Sequence, residues 1–412
     1  MKHHRQESEN ERRDRYRTYS VSILAGFSLV VFLGALVLYS TGNAGELFSG
    51  IKGRLEARLP GNGCVGRSDK GTGDGPDTGT GGSGTGGSAI QPGDETGNEA
   101  ALEPHDKLQT QLDDAELARL RVNELGRVPI IMYHNIQDYE AEWVRSRANF
   151  RKDLERFYNL GYSLVLLSDY LDGNIAVPAG RSPLVLTFDD GTRGQFRMIE
   201  GDGGLIPDPE CAVGILLEFS RTHPEFGHAA TFFVNSGNPF GDRSQVEAKF
   251  KFLLENGMEI GNHTRSHKNL AYASPEEVAE EIGSLVNEVR AMCGYDTVSL
   301  ALPYGGYPKS TENLMSGTWN GQEYENKGIL LVGAEPAPSP FSKKFNPLAI
   351  PRIRGSQEEL DKWMGELERY PDTRFVSDGR SDVVTIREAD EMSLSPERTG
   401  DRTVRTYALS EE

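Results

Sequence analysis

Cysteine is scarce in this chain of 412 residues: Cys64, Cys211 and Cys293 are widely spaced and odd in number, which excludes a disulfide framework and a cysteine-built metal site. Positive charge is also outweighed. The 44 Lys and Arg face 62 Asp and Glu, and the resulting formal net charge of −18 argues against a nucleic-acid partner, because phosphate binding needs a basic surface. An acidic surface suits solubility and neutral sugars but selects no particular glycan. No histidine follows His267, so the C-terminal third offers no imidazole as ligand, acid or base.

Two other absences organise the N-terminal part. From Tyr19 to Ser40 there is no charged side chain, and Val21, Ile23, Leu24, Phe27, Leu29, Val30, Val31, Phe32 and Leu33 begin an apolar run of bilayer length. Residues 1–18 before it carry Arg12, Arg13, Arg15 and Arg17, a basic flank expected to stay cytoplasmic. Residues 19–41 therefore read as a transmembrane signal anchor that leaves the rest of the chain extracellular, on the cell membrane; the alternative is secretion after cleavage near Ala44. Residues 42–105 hold almost nothing to bury, as in Thr78-Gly-Thr-Gly-Gly-Ser-Gly-Thr-Gly-Gly87, and read as a disordered, flexible linker. Its most polar ~40 residues would span on the order of 35 Å as a coil. A connecting helix is expected within 106–127, the main domain over 128–387, and a polar tail over 388–412.

The chemistry sits in two short strings. In Thr187-Phe-Asp-Asp-Gly191 two carboxylates stand where an apolar run meets a glycine, the signature of a buried strand ending in a turn. Like charges that close raise each other's pKa unless something positive sits beside them. In Gly261-Asn-His-Thr-Arg-Ser-His267 two histidines are four apart, so one helical turn would aim both rings the same way. One carboxylate with two imidazoles makes a three-ligand site with open positions, the arrangement of a catalytic divalent metal, and leaves a carboxylate free as a base. A solvated turn and an ordinary surface helix are the bland alternatives. The short strand signal Met258-Glu-Ile-Gly-Asn262 running into the histidines favours a site, because α/β proteins build sites at strand ends.

These strings resemble the first two motifs of the polysaccharide deacetylase family, also called the NodB-homology domain or carbohydrate esterase family 4. Val128-Pro-Ile-Ile-Met-Tyr-His-Asn-Ile136 resembles the opening strand of many members, and Leu302-Pro-Tyr-Gly305 the third motif. The resemblance implies an α/β fold, a distorted (β/α) barrel of the NodB-homology type with fewer than the usual eight strands. It implies an enzyme that removes N-acetyl groups from N-acetylhexosamine residues of an extracellular or cell-wall polysaccharide. It also implies Asp190, His263 and His267 as ligands of a divalent ion, with Zn²⁺ expected and Co²⁺ or another ion as alternatives, and Asp189 as the base. Such an ion acidifies water and polarises the acyl carbonyl. Substrate binding falls to Tyr304 and Gly305, with a backbone N–H near Tyr304 facing the oxyanion.

Three departures from the family pattern shape the expectations. Ala301 stands where the third motif carries an arginine, so Arg352 and Arg354, in Ile350-Pro-Arg-Ile-Arg-Gly355, are the candidate charge partners of Asp189; surface pairing is their alternative. The family's late acidic histidine is missing. His134, at the end of the opening strand, is the leading replacement acid, against a structural role bonding a loop carbonyl, and Asp378 is a weaker candidate. No Asp- and Trp-containing fourth motif is found, and Trp363 reads as core packing. A second hypothesis is therefore a catalytically weak or inactive relative that binds cell-wall glycan. The free carboxylate beside a full ligand set argues for turnover.

Alternating elements complete the reading. Strands are expected over 128–134, 183–189, 229–235, 258–262, 298–302, 328–333 and 374–377. The clearest helix opens at Ser274-Pro275, carries Val278, Ile282, Leu285 and Val289 on one face, and closes at Gly294. The insertion 192–228 and the proline-dense loop Ala334–Pro340 are expected to shape access to the site, and Tyr304 and Tyr307 to offer rings to a sugar.

Overall fold

Residues 111–409 are described by the computed structural model. The anchor, linker and basic segment expected before them lie outside the described residues, and among the described residues no helix is long and apolar enough to cross a membrane.

Eight parallel strands make one sheet: β1 (Ile130–Tyr133), β2 (Tyr162–Leu164), β3 (Ser182–Phe188), β4 (Thr231–Val234), β5 (Glu259–Asn262), β6 (Ser299–Ala301), β7 (Gly328–Leu330) and β8 (Ile353–Arg354). Their order is β7-β6-β5-β4-β3-β1-β8, with β2 also paired to β3. Every residue of β3 is buried, as a strand covered on both faces requires. The sheet curls until its edges meet: Ile350, just before β8, donates to the Ile329 carbonyl at 2.9 Å and accepts from Leu331 N–H at 2.9 Å. The expected distorted barrel is thus a curled parallel sheet.

The helices follow their sequence signals. Helix α1 spans Asp114–Leu120, within the expected connecting segment; α2 Arg147–Asn159 is capped by Ser146, and α3 is Leu167–Asp172. The insertion supplies a hairpin, Met198–Gly201 with Gly204–Pro207, and a helix, α4 (Ala212–Thr222), whose Val213, Ile215 and Leu216 enter the core. It is therefore more than an access loop. Helix α5 is Val246–Glu255. In α6 (Pro275–Cys293) Ser274 and Glu277 form a reciprocal cap and Gly294 closes the end at φ 68°. Burying each of Val278, Ile282, Leu285 and Val289 contributes ~1.5–3 kcal/mol. Trp363, in α7 (Gln357–Arg369), packs half-buried against the same core.

Aromatic rings stiffen the sheet just below its C-terminal edge. Tyr133 stacks on Phe188 at 5.6 Å, Phe188 on Phe232 at 4.9 Å, and Phe232 meets Phe240 edge-on at 6.0 Å. Tyr133 and Phe188 immediately precede His134 and Asp189, so this row fixes where the reactive side chains emerge.

Two sequence expectations fail at the other end of the barrel. Residues 374–377 are not a sheet strand; Arg374 and Val376 make isolated bridges to Arg127 and Asn123, below β1. The apolar pair Phe375-Val376 serves that packing instead, and the last sheet strand is β8. The loop Ala334–Pro340 does not face the site either, because Ala337 exchanges two 2.9 Å hydrogen bonds with Val128 at the entry to β1. Within the segment expected as a polar tail, Thr403–Tyr407 pairs in parallel with Val383–Arg387.

Candidate active site

The two strings emerge side by side at the C-terminal edge. Asp189 and Asp190 follow β3, and His263 follows β5. Asp190 Oδ1 lies 3.3 Å from His263 Nε2 and 3.1 Å from His267 Nε2. His263 Nδ1 is 2.9 Å from the Ala301 carbonyl, which can only accept, so the ring proton sits there and Nε2 turns its lone pair towards Asp190. Asp190 Oδ1 is buried without a hydrogen-bond donor. Donor atoms within 4.8 Å of one another suit a cation, and the Oδ/Nε/Nε set fits a divalent metal. The carbonyl contact is the outer support that metal-binding histidines use.

The histidines do not share a helical turn. His263 directly follows β5, and Thr264 (φ 63°) and His267 (φ 56°) take left-handed backbone. Local polar groups outcompete the helix: Asn262 Oδ1 accepts from Thr264 N–H at 2.8 Å, and the Asn235 amide donates to the carbonyls of His263 and Thr264. Glu281, buried in α6, accepts from Ser266 N–H at 2.8 Å and Ser266 Oγ at 2.7 Å, which pins the turn. Asp190 (φ 78°) and Tyr304 (φ 58°) are left-handed as well, so four non-glycine residues at this site hold backbone that L-residues rarely adopt. Gly261 is needed for close packing: a Cβ there would lie 2.4 Å from the Phe233 ring.

Asp189 has its cation. Arg352, fully buried, donates from Nη1 to Oδ1 and from Nη2 to Oδ2, each at 2.7 Å. Arg352 Nη1 also reaches Thr187 Oγ1 at 3.1 Å, and Nε donates to the Leu331 carbonyl at 2.8 Å. Burial alone would push the Asp189 carboxyl up; Arg352 overcomes this and holds it below its ordinary value. Arg354 is not part of the pair. Two residues further along, its guanidinium lies 3.9 Å over the Trp143 ring and donates to the Glu142 carbonyl.

His134 stands half-buried beside this group, its ring 4.6 Å from that of Trp143. Burial lowers its pKa, although the charges of Asp189 and Asp190 pull the other way. Gln195, from the insertion, donates to the carbonyls of both His134 and Asp189 and ties the two loops together. Asp378 is not at the site: it accepts from Thr385 Oγ1 at 2.6 Å at the opposite end of the barrel, where its segment pairs below β1. Tyr304 is exposed, with its ring edge-on to His267 at 4.6 Å. Gly305 N–H is used by the Leu302 carbonyl at 3.1 Å, so Gly305 contributes a turn at φ 64° rather than a free donor. Tyr307 is partly buried against the cluster around Leu300 and Leu302. Asn235, Glu281, Gln195 and Trp143 were not singled out by sequence; only their placement after packing reveals them.

Residues 176–318 match the family model described as polysaccharide deacetylase. That region contains Asp189, Asp190, His263, His267, Tyr304 and Gly305 and leaves out His134 and Arg352. The chain is 30% identical over 131 residues to the peptidoglycan-N-acetylmuramic acid deacetylase PdaC of Bacillus subtilis (strain 168), a stretch covering 32% of this chain and only 23% of that protein. It is 25% identical over 213 residues to a peptidoglycan-N-acetylglucosamine deacetylase of Bacillus cereus, covering 48% of this chain and 68% of that protein. Among solved structures, the Streptococcus pyogenes deacetylase PplD in complex with acetate aligns at 22% identity and TM-score 0.43, over 58% of this chain and 98% of that one.

Proposed function

We propose that this chain is a metal-dependent hydrolase that removes N-acetyl groups from N-acetylhexosamine residues of an extracellular or cell-wall polysaccharide. The observation that carries the reading is the buried, donorless Asp190 Oδ1 facing the Nε2 atoms of His263 and His267, with the separately neutralised Asp189 beside it. A divalent ion held by those three ligands would supply Lewis acidity at the acyl carbonyl.

The chain's own groups divide the remaining work. Asp189 takes a proton from the attacking water. Arg352 occupies one lone pair on each Asp189 oxygen and leaves others for that transfer, while fixing the direction of the carboxylate. The Tyr304 segment orients the acyl oxygen, and His134 gives a proton to the departing nitrogen. Water adds to the carbonyl carbon, the C–N bond breaks, and acetate and a free amine leave. The alternative of a glycan binder with little turnover rests on the missing third-motif arginine and the missing late histidine; Arg352 beside Asp189 supplies the first and weighs against it.

The apolar segment 19–41 and its basic flank support placing this domain outside the cell on a membrane anchor. The central experiment is acetate release by the full-length chain in detergent, from peptidoglycan and from N-acetylglucosamine oligomers, with Zn²⁺ or Co²⁺ and after chelation. Release that chelation abolishes is expected; no release from either substrate with either ion refutes the hydrolase.

A further inference from the structure

Trp143 is 41% exposed, and among the described residues it is the exposed tryptophan. Its backbone is not loose. The Trp143 carbonyl accepts from Asn135 N–H at 3.1 Å, and residues Val144–Ser146 pair with Asn135–Gln137. Arg145 next to it is buried in a two-bond pair with Asp153 at 2.8 and 2.6 Å, and Ser146 caps α2. The ring is braced as well, with the Arg354 guanidinium 3.9 Å from its centroid and the His134 ring at 4.6 Å. A large apolar ring fixed by its backbone, stacked by a cation and still left in water is a preorganised contact surface rather than a core residue.

Its position gives the surface a direction. Trp143 follows β1, whereas Tyr304, 70% exposed against His267, follows β6. Asp189 and Asp190 follow β3, which lies between β1 and β6 in the sheet order. Exposed rings therefore flank the reactive carboxylates on two sides, and Trp143 marks the side of His134. Tyr139, 59% exposed, belongs to the same loop.

We propose that Trp143 forms a sugar subsite next to the reacting residue, stacking on the pyranose of the adjoining unit so that the site acts within a polymer rather than on a single sugar. The inference rests on the deacetylase reading and deepens it. Pyranose rings expose apolar C–H faces, and a rigid indole accepts them with little loss of side-chain freedom.

The test compares kcat/KM for acetate release from N-acetylglucosamine and chitopentaose by the full-length, metal-loaded chain. The wild type should favour the longer substrate, Trp143→Ala should cut that pentamer-to-monomer ratio about tenfold, and Trp143→Phe should keep it within about twofold. A ring that only supports His134 would slow both substrates by one factor and leave the ratio unchanged, which overturns the subsite. Should the wild type release no acetate, calorimetric binding of chitopentaose decides separately. Affinity weakened about tenfold in Trp143→Ala upholds the subsite while the hydrolase reading fails. Equal affinity, or no binding by the wild type, overturns it.

Discussion

Arg352 and Asp189, 163 residues apart in sequence, meet through two 2.7 Å hydrogen bonds where both side chains are almost wholly buried. Removing one partner of such a pair strands a buried charge, which costs ~3–5 kcal/mol, whereas removing both can restore stability. Arg352→Met should therefore lower unfolding free energy by about that amount and kcat by about 100-fold or more. The Arg352→Met/Asp189→Asn double variant should regain most of the stability and none of the activity. Urea melts together with acetate release measure both, and a double variant no more stable than Arg352→Met contradicts the pairing argument.

The same pair fixes a pH dependence. Because Asp189 is held below its ordinary value, its pairing stabilises the fold fully above the unfolded value of about 3.9 and is lost as pH falls through the lower folded value. In chelator, the stability gap between wild type and Asp189→Asn should stay level from neutral pH down to about 4.5 and narrow below about pH 4. A gap that widens on acidification would show the opposite shift.

Metal addition should separate ligands from base. At a free Zn²⁺ concentration about 100 times Kd, the chelated protein should gain about 2.7 kcal/mol. Asp190→Ala and His263→Ala should lose that gain, while Asp189→Asn keeps it. Thermal shifts read the difference; an undiminished gain in His263→Ala rules out the ligand set.

His134 can be tested through the leaving group. A poor leaving amine needs a proton and an activated phenolate does not, so His134→Ala should slow amide hydrolysis by about 10²–10⁴ and p-nitrophenyl acetate hydrolysis by less than about tenfold. Equal losses on both substrates would remove His134 as the acid.

At the far end of the barrel, Glu124 is buried and accepts from Thr385 N–H at 3.0 Å and from Ser377 Oγ at 3.2 Å. Burial and then the neighbouring Asp378 push its carboxyl well above the usual range. Glu124→Ala should destabilise by about 2–4 kcal/mol by leaving buried donors unpaired, with kcat/KM within about twofold of wild type. A specific kinetic loss in folded protein would contradict that separation.

The sequence made the carboxylate and histidine strings legible because each follows a short apolar run that ends in a turn, and strand ends are where such folds place chemistry. It left Arg352 and Arg354 equivalent. Two residues apart, they fall on the same face of a strand, so alternation cannot say which enters the barrel, and only closure of the sheet beside Leu330 and Ile350 separates them. The four-residue histidine spacing suggested a helix, since spacing does not reveal that Asn235, Asn262 and Glu281 hold that stretch in another conformation. Phe375 and Val376 read as a strand because an apolar pair looks the same whether it joins a ladder or fills the floor beneath one.

The left-handed backbone of Asp190, Thr264, His267 and Tyr304 sets a rule for engineering this protein. Each such residue costs on the order of 1–2 kcal/mol relative to a relaxed backbone, so glycine at the exposed Tyr304 can raise the melting temperature. It would also free the turn that aims the amide at that position. A library sorted by heat resistance alone would therefore enrich sturdier, slower proteins, and selection for thermostability has to be run with turnover as a second gate.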